Sequence, residues 1–179
     1  MIDKLNARQI CFCAVACALM AVGAWISIPT TVPFTLQTFA VALVALCLGA
    51  GLSFWSVIVY ILIGAVGVPV FAGFSGGIVA LTGPTGGYIV GFLFLAVLPG
   101  LLEKRWGRWG QAAGLVLGLL LCYAVGSAWF MYVYARRSNP VGLAAVLGWC
   151  VVPFIFPDAV KLALAFAVAP RIRKAIKRG

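Results

Sequence analysis

Histidine is absent from this sequence, acidic residues number only 3, and no charged side chain occurs between Arg8 and Glu103. Without histidine the chain lacks the side chain that serves most often as general base and as metal ligand. The 6 cysteines show no Cys-x-x-Cys spacing, so we expect neither a metal site nor a disulfide framework. The sequence Gly-x-x-x-x-Gly-Lys-Ser/Thr is also missing, and the chain therefore cannot cradle nucleotide phosphates through this motif.

The uncharged run between Arg8 and Glu103 predicts a membrane protein. It is several times longer than the ~20 apolar residues that cross a bilayer as one helix, and 65% of all residues are hydrophobic. We therefore predict an all-α integral membrane protein in which residues 1–179 form a single domain. The net charge of +10 does not indicate nucleic-acid binding, because basic residues at helix ends follow from the positive-inside rule.

Apolar runs and turn residues predict six transmembrane helices with long ordered outer loops. The predicted helices cover 8–28, 39–50, 52–67, 88–102, 111–135 and the stretch from Pro157 to the basic tail at Arg171, and segment 141–154 is predicted to be re-entrant or interfacial. The second to fourth helices are only about 18–24 Å long, less than the ~30 Å hydrocarbon core. Loops 29–38 and 67–87 must therefore reach into the membrane, and we expect the glycine-rich loop 67–87 to form a lid.

The basic residues predict which way the chain crosses the membrane. With six spans and both termini inside, most of the 13 basic residues lie on the cytoplasmic side. These are Lys4, Arg8, Lys104, Arg105, Arg108, Arg171, Arg173, Lys174, Lys177 and Arg178. A seventh span over 141–154 would move the basic tail outside, against the rule. The predicted outer face then carries both loops and the start of the sixth helix.

Asp158 and Lys161 form the one candidate ion pair at membrane depth. Pro157 suits the first position of a helix, which would place Asp158 in the first turn, where a carboxylate is favoured. Lys161 follows three residues later, on the same helix face. The pair could be a structural ion pair that only fixes helix packing. Because an intramembrane ionisable pair by default marks a site for a polar ligand or ion, and because both polar loops converge on the same face, we favour a binding site.

Four motifs stand in a characteristic order along the chain. They are Pro33-Phe-Thr-Leu-Gln-Thr38, Gly67-Val-Pro-Val-Phe-Ala-Gly73, Gly83-Pro-Thr-Gly-Gly-Tyr88 with Gly91-Phe92, and Pro157-Asp158 with Lys161. Together they resemble the BioY family, the biotin-binding S components of energy-coupling-factor (ECF) vitamin transporters, over nearly the whole chain. Two departures are visible. The expected Pro-Gly-Asp before the lysine reads Phe156-Pro157-Asp158, and the turn at 49–51 lacks an expected basic residue.

The resemblance implies high-affinity capture of biotin at the outer face of a bacterial cytoplasmic membrane. Asp158 would accept the ureido N–H groups of biotin, and Lys161 would pair with its carboxylate or polarise the ureido oxygen. The other implied contacts are polar groups of Thr35, Gln37 and Thr85, a wall of Phe34, Phe71 and Tyr88, and close backbone approach at Gly83, Gly86 and Gly87. Taken singly, these glycines could equally form turns, the phenylalanines could only pack, and the tyrosine could belong to an interfacial belt.

The resemblance also implies partners. An S component works with a transmembrane coupling subunit and ATPase subunits, and the sequence leaves open whether the module is dedicated, shared or absent. Ala14 and Ala18 lie four residues apart on the first helix, a spacing that allows another helix to approach closely. They resemble the small-residue face that S components present to the coupling subunit.

Three rival interpretations compete with capture of biotin. Gly73-Phe74-Ser75-Gly76 matches the nucleophile pattern of intramembrane rhomboid proteases, but the chain has no histidine to activate Ser75. A channel would need a ring of charges or carbonyls that is not visible in one chain. A transporter component for another vitamin shares the same architecture, and only the set of motifs favours biotin.

Overall fold

The computed structural model describes residues 6–30, 32–137 and 141–178, without the side chains of residues 137, 177 and 178. Its elements are α1 (Ala7–Trp25), β1 (Ser27–Ile28), β2 (Phe34–Thr35), α2 (Gln37–Ala65), a single 3-10 turn (Ala72–Phe74), α3 (Ile78–Thr82), α4 (Gly86–Arg137), α5 (Leu143–Cys150) and α6 (Val152–Arg178). Four stretches in this part of the chain are long and apolar enough to cross a membrane: Ala7–Trp25, Gln37–Ala65, Gly86–Arg136 and Leu143–Ile176. The predicted helical architecture with several long apolar helices is thus confirmed, and the count of six spans stays a prediction.

Two of the long helices are broken at glycines. Gly49 has φ 75° and ψ 172°, and Gly107 has φ 56° and ψ −139°. A positive φ suits glycine because it has no Cβ. These breaks divide α2 into 37–48 and 50–65 and α4 into 86–105 and 108–137. They fall at the turns that were predicted near 49–51 and 103–109.

The start of α6 corrects the sequence-based expectation. The helix begins at Val152, and the amides of Phe154 and Ile155 donate to the Val151 carbonyl at 2.9 and 3.2 Å. Pro153 therefore occupies the first turn, where a missing N–H costs nothing, and Pro157 lies inside the helix. The prediction that Asp158 stands in the first turn is wrong. Two prolines four residues apart both fit a helix start, and the chain uses the earlier one.

The loops contain more local structure than predicted. β1 and β2 pair antiparallel, with Ser27 opposite Thr35 and Ile28 opposite Phe34, which closes the segment between α1 and α2. Loop 67–87 includes the 3-10 turn and α3. α5 is shorter than the segment 141–154 from which it was predicted. The fifth helix, predicted to end at residue 135, extends to Arg137, and residues 138–140 lie outside the described residues.

α2 is the centre of the bundle and packs against α1, α4 and α6. The two halves of α4 lie side by side because glycines let their backbones approach closely. A Cβ on Gly114 would lie 2.5 Å from the Pro99 Cα, and one on Gly118 would lie 2.7 Å from the Leu95 Cα. At the basic end of the bundle Arg173 pairs with Glu103. The opposite end, where the loops and the start of α6 meet, holds the candidate site.

Candidate functional site

A cavity of about 150 Å³ lies under the loops at this end of the bundle. It is lined by Val32, Pro33, Thr35, Gln37, Thr38, Phe71, Ala72, Ser75, Ala80, Thr85, Tyr88, Ile89, Phe92, Leu119, Cys122, Tyr123, Cys150, Phe154, Asp158 and Lys161. The wall combines apolar and aromatic side chains with a few polar groups, which is typical of small-molecule sites.

The ion pair lies on the cavity wall and is deeply buried. Lys161 Nζ is 2.8 Å from Asp158 Oδ1, and the two residues are 8% and 3% exposed. The Tyr123 hydroxyl donates to Asp158 Oδ2 at 2.6 Å. Each carboxylate oxygen therefore has one donor and keeps capacity for another. The two charges satisfy one another, yet they remain beside an open space, so the pair is not closed off by packing.

Tyr123 was missed in the sequence analysis. It lies in the second half of α4 within the run Leu119-Leu-Leu-Cys-Tyr123, 35 residues before its partner Asp158. A tyrosine in the middle of an apolar helix is a signal in its own right, because a buried hydroxyl usually has a hydrogen-bond partner. Sequence spacing alone could not identify that partner.

A second hydrogen-bonded group supports another part of the cavity wall. The Gln37 side-chain amide donates to the Tyr60 hydroxyl at 2.8 Å, and this hydroxyl donates to the Val70 carbonyl at 2.7 Å. The Phe71 ring meets the Tyr60 ring edge-on, with centroids 5.5 Å apart. It also lies directly over Gly64, where a Cβ would come within 2.0 Å of the ring. Tyr60 thus connects a polar group of the cavity with the loop that covers it.

The loop that follows α2 is also held from α1. The Trp25 indole N–H donates to the Pro69 carbonyl at 2.7 Å, and the Trp25 ring stacks on Phe74 with centroids 5.2 Å apart. In this loop Phe71, Ala72 and Ser75 line the cavity. The C-terminal end of α1 therefore fixes the loop in its covering position.

The structure gathers most of the sequence-predicted site residues. Those on the cavity wall are Thr35, Gln37, Phe71, Thr85, Tyr88, Asp158 and Lys161. Phe34 lies next to the wall, where its ring stacks on Phe154 at 4.2 Å and Lys161 Nζ is 5.7 Å from its centroid. Tyr88 is buried and its hydroxyl lies 3.1 Å from Ser127 Oγ, so it is not an interfacial belt residue.

The three predicted glycines are not brought to the cavity wall. A Cβ on Gly86 would lie 1.7 Å from the Leu81 carbonyl oxygen, and one on Gly87 would lie 2.2 Å from the Trp129 Cβ. The Gly83 carbonyl accepts a hydrogen bond from the Trp129 indole at 2.9 Å. Their missing side chains serve the close packing of α3 and of the two halves of α4.

Ala14 and Ala18 lie on an exposed face of α1. They border an apolar groove of about 470 Å³ that is also lined by Ile10, Cys13, Cys17, Ala21, Trp55, Val59, Tyr60, Ile63 and Val70. Both alanines leave room above the helix for another chain. Neither member of the ion pair lines this groove, but Tyr60 and Val70, which support the cavity, do.

The arrangement favours binding of a small molecule over catalysis or metal binding. Within the described residues no group of three His, Cys, Asp or Glu side chains could hold a metal ion. Ser75 lines the cavity, but its hydroxyl donates to the Ala72 carbonyl at 2.7 Å. The cavity offers aromatic walls and a cation–carboxylate pair. It therefore suits a compact, partly apolar ligand that carries hydrogen-bond donors and acceptors.

Comparisons with known proteins agree with one another. Residues 1–178 match the BioY family. The chain is 42% identical over 172 residues to a probable biotin transporter BioY of Pyrococcus horikoshii, covering 94% of this chain and 98% of the relative. It is 43% identical over 170 residues to a biotin transporter BioY of Thermotoga maritima, covering 93% and 96%. The fold matches the crystal structure of an S-component for biotin from an ECF-type ABC transporter with a TM-score of 0.82 and 25% identity, covering 97% and 95% of the two chains.

Proposed function

The chain belongs to the BioY family, and we propose that it binds biotin in the cavity beside Asp158 and Lys161 as the S component of an ECF-type transporter. It is a transporter component and not an enzyme. The observation that carries the proposal is the buried ion pair on the wall of an open, largely apolar cavity. Biotin is the transported ligand, and no cofactor takes part.

The polar groups of the cavity suit the chemistry of biotin. Asp158 has unused acceptor capacity for the ureido N–H groups, and Lys161 has further N–H donors for the biotin carboxylate or the ureido oxygen. Thr35, Gln37 and Thr85 supply additional polar contacts. The rings of Phe34, Phe71 and Tyr88 enclose the apolar sulfur ring.

The proposed membrane arrangement has six spans, formed by α1, the two halves of α2, the two halves of α4, and α6. Residues 1–179 form one substrate-binding domain, with both termini in the cytoplasm and the cavity on the outer side. The basic cluster around Arg105, Arg108 and Arg173 supports this orientation through the positive-inside rule. Lys4 and the side chains of Lys177 and Arg178, which were counted in the prediction, lie outside the described residues.

The proposed partners are a transmembrane coupling subunit and ATPase subunits. The exposed groove at Ala14 and Ala18 is the proposed docking face, because small residues allow a partner helix to pack closely. The surrounding bilayer is the third partner.

Calorimetric titration of the detergent-solubilised chain with biotin, riboflavin and thiamine tests the proposal. We expect saturable binding of biotin and none of the other two vitamins. Binding of riboflavin or thiamine instead would establish the alternative, a component for another vitamin. Absence of binding by any of them, with a chain that unfolds cooperatively, would contradict the proposed function.

A further inference from the structure

A second apolar groove, here called the lateral groove, opens on the side of the bundle between α6 and residues 108–137 of α4. Its volume is about 450 Å³. It is lined by Ala112, Leu115, Val116, Leu119, Leu120, Tyr123, Val151, Ile155, Ala159, Leu162, Ala163 and Phe166. The groove exists because α6 packs chiefly against α2, and because three alanines on its walls leave the space between the helices unfilled.

The length of the lateral groove is close to the hydrocarbon thickness of one bilayer leaflet. Ala112 and Tyr123 mark its two ends on α4 and are about 16 Å apart at 1.5 Å per residue. This is close to half of the ~30 Å hydrocarbon thickness. Its one polar lining group is the Tyr123 hydroxyl, which is engaged by Asp158. The groove therefore matches the length and chemistry of an acyl chain.

A cation stands at one mouth of the lateral groove. The Arg108 guanidinium lies 4.7 Å from the centre of the Phe166 ring, and Phe166 forms that end of the groove. Arg108 is exposed, and within the described part of the chain no carboxylate pairs with it. Arg173 on α6, by contrast, is paired with Glu103. An anionic group at this mouth would satisfy the guanidinium, which binds phosphate well.

A helix of a second copy would not supply that anion from the described residues. The acidic residues among them are Glu103 and Asp158, and both are already in ion pairs. A phospholipid brings an acyl chain and a negatively charged headgroup in one molecule. We propose that the lateral groove binds one acyl chain of an anionic phospholipid, with the headgroup phosphate on Arg108.

The site shares two residues with the cavity. Leu119 and Tyr123 belong to both walls, so a bound chain would pack on the outer side of the residue that donates to Asp158. In the proposed topology the lipid comes from the inner leaflet. The binding itself, however, does not depend on whether the ligand of the cavity is biotin.

Native mass spectrometry of the whole chain, released from nanodiscs of equimolar phosphatidylglycerol and phosphatidylcholine, tests the proposal. We expect retention of one phosphatidylglycerol in preference to phosphatidylcholine. Arg108→Gln should reduce that retention about fivefold, the effect of losing one hydrogen bond between the guanidinium and the headgroup phosphate. The matched control is Arg105→Gln, which removes a charge from the same basic loop and should leave retention unchanged.

A second pair of variants tests the groove itself. Ala163→Trp fills the lateral groove at an exposed position and should abolish retention, whereas Leu164→Trp adds the same ring on an exposed face of α6 outside the groove. Both variants should unfold at the temperature of the parent chain. Equal retention of both lipids, retention unaffected by Arg108→Gln and Ala163→Trp, or a groove covered by a second copy in a stable dimer would each overturn the proposal. None of these results depends on biotin.

Discussion

Asp158 and Lys161 show how two charges persist at membrane depth. Each carboxylate oxygen has one donor, from Lys161 or from Tyr123, and the pair still borders an open cavity. A closed structural ion pair would have no such space beside it. The open space beside the pair therefore favours a site that can exchange contacts with a ligand over a purely structural ion pair.

Asp158→Asn and Lys161→Ala should each weaken biotin binding at least about tenfold, because each removes a charged hydrogen-bonding group. Each also leaves its partner charge buried without a counter-ion, which costs about 3–5 kcal/mol of stability. Calorimetry together with thermal unfolding separates the two effects. The control is Glu103→Gln, which breaks the Arg173 pair at the far end and should leave binding intact. Full binding in both cavity variants would contradict the assignment of the pair to the ligand site.

At the scale of elements, α1 contributes to two separate surfaces of the molecule. Near its middle it presents Ala14 and Ala18, and at its C-terminal end Trp25 holds the loop over the cavity. Both contacts lie on one continuous helix of 19 residues. A partner that docks on α1 therefore acts on the same element that holds the covering loop.

Trp25→Phe should accelerate the dissociation of biotin about fivefold, since it removes one hydrogen bond of about 1 kcal/mol while keeping an aromatic ring on Phe74. Stopped-flow measurement of the dissociation rate checks this. Trp55→Phe, an exposed tryptophan on α2, is the control and should not change the rate. An unchanged rate in Trp25→Phe would show that the loop is held by other contacts.

Ala14→Trp should leave biotin binding unchanged and prevent assembly with a coupling subunit, because the indole would occupy the groove beside α1. Co-purification with a tagged coupling subunit is the measurement. Val15→Trp places the same ring on an exposed position outside the groove and should still assemble. Normal co-purification of Ala14→Trp would argue against this docking face.

At the scale of the whole molecule, the basic end and the cavity end of the bundle are on opposite sides of the proposed membrane. With both termini inside, a fluorescent protein fused after residue 179 should be fluorescent, and alkaline phosphatase fused there should be inactive. Phosphatase fused within loop 67–87 should be active. The reverse pattern would place the cavity on the cytoplasmic side and contradict capture from outside.

The membrane class, the breaks in α2 and α4, and the pairing of Asp158 with Lys161 could all be predicted from the sequence. Each depends on composition or on neighbours a few residues apart: a long uncharged run, short turns that contain glycine, and a three-residue spacing on one helix face. The resemblance to the BioY family is confirmed by the comparisons.

Only the tertiary structure decided which distant groups meet. Tyr123 reaches Asp158 across 35 residues, and Trp25 reaches Pro69 across 44. It also decided that Gly86 and Gly87 face helices and not the cavity, and that α6 begins near Pro153 before Pro157. Local sequence preferences do not decide between these arrangements, because a tyrosine, a glycine or a proline can occupy several structural environments. The packing of α2 against its neighbours selects among them.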